Sequence, residues 1–339
     1  MGCELAQAFA RLGSRVSLID MEDRLLPRED TDAAAVIERV LADEGVEVLT
    51  GHRATRIDPG AIPLDTADET GKRLVFDRVL VAVGRRARSS GYGLENAGVQ
   101  TNRDGTLVVN GALRTTATSI YACGDVIGPY QFTHMASHQA WYASVNALIA
   151  PFYRFQCDYS CVPWATYTDP EVARVGMSAA DADAQDMDHE VTTHPLDDVD
   201  RAVADGRMQG PHSQPGASLT LCAGCAYGPA TPTPHGTIAS GRDAPVRVCS
   251  MRGFVKVVSK GDRVLGATIV APNAGEMIGE FVTAMRAGLG LKKILGTIHV
   301  YPTYLEANKL AAGAWRRRHA PERLLQWVGK VHGALRALP

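Results

Sequence analysis

The 339-residue chain has a formal net charge of −2, and its residues are 45% hydrophobic and 21% charged. A chain of this length is too long for one typical hydrophobic core, so we expect two or three domains. The balanced charge gives no electrostatic reason to expect a nucleic-acid partner. No stretch approaches the ~20 consecutive apolar residues that span a bilayer, so the sequence predicts a globular protein without a transmembrane segment.

The cysteine content favours a reducing compartment. An odd number of cysteines without regular spacing does not suggest a secreted disulfide framework. Residues 1–4 run directly into an amphipathic pattern instead of forming a signal peptide. We therefore expect an intracellular protein of the cytoplasm or an organelle matrix. The seven cysteines lie at positions 3, 123, 157, 161, 222, 225 and 249.

The first thirty residues have the pattern of the second half of a dinucleotide-binding βαβ unit. Apolar residues recur at helical spacing up to Gly13, and residues 15–20 then form a strand pattern that ends in Asp20. In such a unit the pyrophosphate lies at the amino terminus of the helix, here Gly2, and the acid accepts hydrogen bonds from the ribose hydroxyls. Because the charge of Asp20 would repel a 2′-phosphate, the pattern favours NAD over NADP. The alternative is an ordinary helix with a small residue at its start.

The next elements fit the same unit. Residues 33–44 have a helical pattern, residues 46–49 a strand pattern, and residues 74–83 contain two further strands that end at Gly84. A turn at Gly84 places backbone at the carboxyl edge of the sheet, where ligands bind in open α/β folds.

A more specific motif occupies residues 115–140. A strand pattern over residues 119–123 leads into Gly124 and Asp125, and a helix follows from about Thr133. This arrangement resembles the second flavin-binding motif of the pyridine nucleotide–disulfide oxidoreductases, whereas a lone Gly-Asp pair is more often a plain turn. The resemblance implies that Asp125 accepts a hydrogen bond from the ribityl or linker region of FAD. It also implies that the backbone of Gln131, Phe132, Thr133 and His134 lies against the flavin ring.

The same resemblance gives a meaning to the opening residues. Gly2 takes the place of the last glycine in the family's Gly-x-Gly-x-x-Gly-x-Glu motif, and Glu4 takes the place of its acid. Members of the family carry, upstream of this motif, a first flavin-binding βαβ unit and a Cys-x-x-x-x-Cys redox pair. Neither is found in the given residues, so we expect the chain to be the carboxy-terminal part of such an enzyme, without its redox cysteines.

The carboxy-terminal half resembles the domain through which the family forms homodimers. Residues 162–176 resemble the opening strand of that domain. Residues 253–258 and 264–270 predict a pair of hairpin strands, and residues 276–288 predict a helix.

The segment from residue 298 to Glu306 resembles the family's acid–base site with one change. Disulfide-reducing members carry His-Pro-Thr-x-Ser-Glu, whose His takes a proton from a dithiol while the Glu orients the ring. Aligning Pro302 and Glu306 places Tyr301 at the base position, and a tyrosine there resembles the mercuric-reductase-like branch. The paired carboxy-terminal cysteines of that branch are absent from this sequence. His299 would point the same way as Tyr301 on a strand, and its alternative interpretation is an interface histidine without a catalytic role.

Residues 208–251 interrupt the family pattern. The segment is rich in Pro, Gly, Ser, Thr and Ala, and it contains Cys222 and Cys225 at a spacing that suits a metal or a redox pair. Zinc would need a second close pair of ligands, so the expectation is a surface loop or a gene-model error, and no metal site is assigned.

These observations lead to one expectation for the whole chain. The fold is α/β, with a partial Rossmann-like NAD-binding domain in residues 1–88 and the second part of an FAD-binding domain in residues 89–150. An α+β dimerisation domain follows in residues 151–339. The expected activity is transfer of hydride from NADH via FAD to a disulfide, metal or quinone-like acceptor. The alternatives are a catalytically incomplete remnant that still dimerises and a metal-binding protein that uses the Cys222 loop.

Overall fold

A computed structural model describes residues 1–66, 73–149, 152–206, 253–321, 327–328, 330–332 and 336. Helices and sheets alternate in the first part, and an antiparallel sheet covered by helices forms the last part, so the predicted α/β and α+β character is confirmed. Among the described residues, no helix combines the length and the apolar composition needed to traverse a bilayer. The segment 208–251, with Cys222 and Cys225, lies outside the described residues.

The first part contains the predicted nucleotide-binding elements. Two parallel strands pair in register, with Ser17 opposite Glu47 and Ile19 opposite Leu49, and the helix between them crosses over as in a βαβ unit. A small antiparallel sheet of order β3-β4-β5 follows. The elements are α1 (Gly2–Arg11), β1 (Ser17–Ile19), α2 (Thr31–Asp43), β2 (Glu47–Leu49), β3 (His52–Ala54), β4 (Ala61–Thr66) and β5 (Arg73–Val75).

The predicted strand at residues 79–83 is wrong. This segment is irregular, and Leu80, Val81 and Val83 are 57%, 64% and 93% exposed. A strand exists only where its N–H and C=O groups meet a neighbouring strand, and no strand pairs with this segment in the described ranges. A β-carbon placed on Gly2 would lie 3.8 Å from the Ala82 β-carbon, so the segment runs beside the start of α1.

The strand predicted at residues 119–123 is also absent. The chain reverses at Ala117, where the N–H of Ile120 bonds back to its carbonyl, and only one bridge pair, Arg114 with Tyr121, forms. A tight turn this close to the bridge leaves no length for a ladder. The helix predicted from about Thr133 is confirmed as α3 (Thr133–Ile149), preceded by a single 3-10 turn at Gly124–Val126.

The last part is a five-stranded antiparallel sheet of order β6-β7-β10-β9-β8. The predicted hairpin is confirmed as β9 and β10, and the predicted helix at residues 276–288 is confirmed as α6. The elements are β6 (Pro163–Thr166), β7 (Glu171–Gly176), α4 (Ala179–Ala184), β8 (Glu190–Pro195), α5 (Asp200–Ala204), β9 (Phe254–Lys260), β10 (Arg263–Ala271), α6 (Ala274–Arg286), α7 (Leu291–Gly296) and α8 (Glu306–Arg318).

This sheet is covered on both faces, and the alternation of side chains along β10 shows how. Ile269 packs in one core with Phe281 of α6 and Trp315 of α8. The next residue, Val270, packs in a second core with residues of α1 and α2 such as Ile37. Since successive side chains of a strand point to opposite faces, the nucleotide-binding unit and the helices of the carboxy-terminal part lie on opposite sides of one sheet.

One cross-strand row of side chains meets the segment that leads into α2. The strand registers place Trp164, Arg174, Thr268 and Lys256 side by side on β6, β7, β10 and β9. Each member of this docking row contacts the segment between positions 28 and 32, and Lys256 Nζ also lies 3.8 Å from Asp30 Oδ1. The contacts are Trp164 Nε1 to Glu29 Oε1 (2.6 Å), Arg174 Nη1 to the Arg28 carbonyl, Thr268 Oγ1 to Asp30 Oδ2 (2.6 Å), and Lys256 Nζ to Asp32 Oδ2 (2.5 Å).

The ion pair at the end of the docking row gives a prediction for stability. Substituting Lys256→Met leaves Asp32 and Asp30 partly buried without their cation, so we expect the free energy of unfolding to fall by about 3 kcal/mol. Urea unfolding measures this change. Lys260→Met, at the exposed end of the same strand, is the matched control. Adding Asp32→Asn to Lys256→Met should recover part of the loss, and equal stability of the two methionine variants would contradict the assignment.

Candidate functional site

The turn at Gly124 is built from two constraints. Gly124 has φ of +78°, and a β-carbon there would lie 3.1 Å from the Ala136 β-carbon, so only glycine fits without displacing α3. Its N–H donates to Gln139 Oε1 at 2.7 Å. The turn is therefore held against α3, and Asp125 follows it with its side chain half exposed.

Gln139 is a residue of this site that the sequence analysis missed. Its side chain is fully buried, and its Nε2 donates to the Tyr159 hydroxyl at 3.2 Å. Burial raises the pKa of Tyr159 to about 12, so the hydroxyl stays protonated at neutral pH. Helical spacing could have indicated that Gln139 is buried, because Met135, Gln139 and Ala143 lie four residues apart and share the buried face of α3.

Arg85 joins the first part of the chain to this turn. Its Nη1 donates to the Gln131 carbonyl at 3.2 Å and lies 3.6 Å from Asp125 Oδ2. Gly84, immediately before it, has φ of +137°, which a glycine adopts without strain. The structure thus brings together Gly84, Asp125 and Gln131, which lie in two different predicted domains.

The residues after Gln131 are fixed by ring stacking against β6. The rings of Phe132 and His134 stack with centroids 5.2 Å apart, and Phe132 also stacks on Trp164 at 6.5 Å. His134 Nε2 lies 2.9 Å from the Pro163 carbonyl. Thr133 opens α3, whose first N–H groups have no partner within the helix. The segment from Gln131 to His134 therefore presents a helix amino terminus on a rigid support.

These residues fit the ring and ribityl half of a flavin. A half-exposed carboxylate, Asp125, can accept from a ribityl hydroxyl, and the positive end of α3 stabilises electron density on a reduced ring.

The predicted nicotinamide-nucleotide residues divide into two groups. Gly2 opens α1, and Asp20 follows β1 with its Oδ1 accepting the N–H of Glu22 at 3.0 Å. Glu4 points instead toward the carboxy-terminal sheet, where its Oε1 accepts the N–H of Tyr167 at 2.7 Å. That bond connects α1 to the turn between β6 and β7.

The segment around Tyr301 is a loop, so the predicted strand with His299 and Tyr301 pointing the same way is wrong. The His299 side chain is 3% exposed, with Nε2 at 2.9 Å from Glu280 Oε1 and Nδ1 at 3.1 Å from the Thr297 carbonyl. Tyr301 is 64% exposed. A loop lacks the regular alternation of side-chain direction found in a strand, so the side chains of His299 and Tyr301 point in different directions.

Tyr301 donates its hydroxyl proton to Asp200 Oδ2 at 2.7 Å. This hydrogen bond and the negative charge of Asp200 raise the pKa of Tyr301, with a smaller contribution from Glu306. Both ring nitrogens of His299 already face acceptors. The arrangement therefore supplies a protonated phenol at the surface, whereas the His299 ring is buried between Glu280 and the Thr297 carbonyl. Within the described ranges, no cluster of three His, Cys, Asp or Glu side chains has the arrangement of a metal site.

Two family models match the chain. The model described as pyridine nucleotide-disulphide oxidoreductase matches residues 1–140, and the model of that family's dimerisation domain matches residues 162–211 and 239–312. Together they account for most of the chain.

Curated relatives agree with these matches. A dihydrolipoyl dehydrogenase of Thermus scotoductus is 32% identical over 326 residues, which are 94% of this chain and 60% of the relative. A mercuric reductase of Streptomyces lividans is 32% identical over 317 residues, which are 92% of this chain and 57% of the relative. The chain thus spans somewhat less than two thirds of the length of these relatives.

Solved structures show the same fold. LpdA of Mycobacterium tuberculosis superposes with a TM-score of 0.72 at 26% identity, covering 94% of this chain and 59% of LpdA. RclA of Escherichia coli, described as a HOCl-induced flavoprotein disulfide reductase, superposes with a TM-score of 0.70 at 25% identity, covering 93% of this chain and 62% of RclA. With two family models, these relatives and these structures in agreement, the chain belongs to the pyridine nucleotide–disulphide oxidoreductase family.

Proposed function

We propose that the chain is the nicotinamide-binding, flavin-contacting and dimerising part of an oxidoreductase that passes hydride from NADH via FAD to a disulfide, metal or quinone-like acceptor. The observation that carries this proposal is the contact of Arg85 with both Asp125 and the Gln131 carbonyl. That contact joins the end of the nucleotide-binding unit to the turn that fits a flavin. Bound FAD would supply the chemistry of accepting hydride and releasing its electrons.

Each residue of the turn has a distinct role in this proposal. Asp125 orients the ribityl chain by accepting a hydrogen bond, and Gln139 holds Gly124 so that Asp125 keeps its position. The backbone N–H groups at the start of α3, from Thr133 onward, favour negative charge on the ring. Phe132, stacked on Trp164, prevents that backbone from moving away.

NADH is the proposed hydride donor, in preference to NADPH. Asp20 stands at the end of β1, the position from which an acid reaches ribose hydroxyls. Its charge opposes a 2′-phosphate.

Tyr301 is the proposed proton donor to the reduced acceptor. Reduction of a disulfide or a quinone-like acceptor by two electrons also takes up two protons, and the protonated phenol of Tyr301 can deliver one and regain it from solvent. The hydrogen bond to Asp200 and the charge of Asp200 keep that phenol protonated, and the charge of Glu306, at the start of α8, makes a smaller contribution. The relatives, a dihydrolipoyl dehydrogenase and a mercuric reductase, support the disulfide and metal classes of acceptor.

A homodimer is the proposed assembly. The match to the dimerisation domain supports it, and the loop before Tyr301 carries Ile298 and Val300 at 94% and 76% exposure. Exposed apolar residues next to a proposed acceptor site suit an interface that completes the site across two copies.

Flavin binding is the first prediction of the proposal. The purified chain, incubated with FAD and freed of excess cofactor, should keep the visible flavin absorption, and NADH should bleach it faster than NADPH. Asp125→Ala should weaken FAD binding about tenfold, because one hydrogen bond to a charged acceptor is lost. Asp104→Ala, which removes an exposed carboxylate bonded only to Thr106 in its own loop, is the matched control. A wild-type chain that stays colourless would favour the dimerising remnant instead.

The protonated state of Tyr301 gives a second prediction. The phenol should ionise above the ordinary value of about 10, and Asp200→Asn should lower its pKa by removing the charge that raises it. The phenolate absorbance of the chain, minus that of Tyr301→Phe, isolates this group during a pH titration. A pKa that is the same with and without Asp200 would contradict the contact.

The dimer gives a third prediction. Ile298→Asp places a charge in the proposed interface, so we expect the dimer dissociation constant to rise about tenfold or more in sedimentation equilibrium. Val75→Asp changes an equally exposed valine on β5 and should leave the association unchanged. Equal effects of the two variants would place the interface elsewhere.

A further inference from the structure

The loop between α7 and α8 carries Tyr301 and contains one inward-pointing side chain. Ile298, Val300 and Tyr301 are 94%, 76% and 64% exposed. His299 lies between the first two and turns the other way, so that its side chain is only 3% exposed. Among residues 298–302, His299 is therefore the one residue whose side chain reaches the interior of the domain.

His299 meets a carboxylate whose position is fixed from two helices. Its Nε2 lies 2.9 Å from Oε1 of Glu280, on α6. The other carboxylate oxygen, Oε2, accepts a hydrogen bond of 3.1 Å from Nδ2 of Asn308, a fully buried residue near the start of α8. The same Nδ2 donates to the Met277 carbonyl of α6 at 3.0 Å. A continuous set of contacts thus runs from the loop through α6 to α8, and the side chains at its two ends are buried.

The contact on the outer side of the loop is weaker than this buried one. Tyr301 donates to Asp200, but both residues are exposed, so water competes for the same hydrogen bond. The next tyrosine along the chain, Tyr304, is buried and donates to Asp205, and it holds only the end of the loop. Without the contact of His299 the exposed part of the loop would have no buried side chain, and segments with few buried contacts open at low free-energy cost.

We propose that His299 is a positioning residue for Tyr301, acting through its buried contact with Glu280 instead of exchanging protons with the acceptor. This inference rests on the proposed role of Tyr301 as proton donor. By holding the loop from the inside, His299 keeps the Tyr301 hydroxyl within reach of Asp200. The same contact leaves the two apolar side chains that flank His299 pointing outward, toward the proposed dimer interface.

The test measures the ionisation of the Tyr301 phenol in the full chain without added FAD or NADH. For each variant, the phenolate absorbance during a pH titration is compared with that of the same variant carrying Tyr301→Phe. In the wild-type chain, the hydrogen bond to Asp200 and its charge raise the pKa of Tyr301 above its ordinary value of about 10. His299→Phe removes the contact with Glu280, so the pKa should return toward the ordinary value. His299→Gln should keep most of the shift, because its amide can still donate to Glu280.

His319→Phe is the matched control, because it removes a histidine with the same kind of surroundings. His319 Nε2 lies 3.2 Å from Oε2 of Glu190, and its Nδ1 lies 2.9 Å from the Trp315 carbonyl. It follows the last residue of α8, at the opposite end of that helix from the loop. This variant should leave the pKa of Tyr301 unchanged.

A second variant breaks the same contact from the side of α6. Glu280→Ala should lower the pKa of Tyr301 as His299→Phe does, and the double variant should lower it little further, because both changes remove one interaction. Thermal melting shows which variants fold, and Glu280→Ala decides the question if His299→Phe does not fold.

Two titration results would overturn the proposal. One is a pKa of Tyr301 that stays at the wild-type value in both His299→Phe and Glu280→Ala, and the other is an equal fall in His319→Phe. In the flavin-loaded chain, a loss of turnover that His299→Gln fails to restore would also overturn it, since the imidazole itself would then be required. The titration needs no cofactor, so a chain that binds no FAD would contradict the proposed function and still give a result for His299.

Discussion

The packing of residues 28–32 against the docking row is the contact on which the rest of the arrangement depends. Four neighbouring strands each contribute one side chain, and these side chains contact Arg28, Glu29, Asp30 and Asp32 of a five-residue segment. Buried or half-buried polar groups are costly when mispaired, so this set of contacts fixes the position of α2 on the sheet. Apolar packing of Val172, Val270 and Phe254 against α1 and α2 also stabilises this contact. Because apolar packing is non-directional, it would not by itself fix the position of the helices on the sheet.

That fixed position extends to the turn at Gly124, which we propose contacts the flavin. Trp164, the first member of the row, carries the stacked rings of Phe132 and His134, which hold the start of α3. Gln139 of α3 accepts a hydrogen bond from the Gly124 N–H. Arg85 then connects the nucleotide-binding unit to Asp125 through an ion pair. The geometry of the turn is therefore set by three parts of the chain that are distant in sequence.

Sequence patterns predicted the elements whose signals are local. The helices α1, α2, α3 and α6 and the hairpin of β9 and β10 follow from periodicity, and the turn at Gly124 follows from its motif. Residues 79–83 have the composition of a buried strand, yet composition does not supply a neighbouring strand. The separation of His299 from Tyr301 and the buried role of Gln139 depend on partners in other elements, such as Glu280 and Tyr159. The docking row depends on strand register across four strands, which no local window contains.

The same row also explains why charged side chains are kept in the interior. Burial raises the pKa of Glu29, because the ionised form loses its hydration there. At neutral pH the buried Glu29 therefore lowers the stability of the fold. A hydrophobic residue of similar size would remove that penalty, although it would also remove the acceptor for Trp164. Trp164 has to be held because it supports Phe132, and Arg174 has to lie over Trp164 because Asp181 and Arg28 direct it there. The charges of Glu29 and Arg174 are therefore retained in the interior because they specify the position of the aromatic rings that support the proposed flavin-contacting segment.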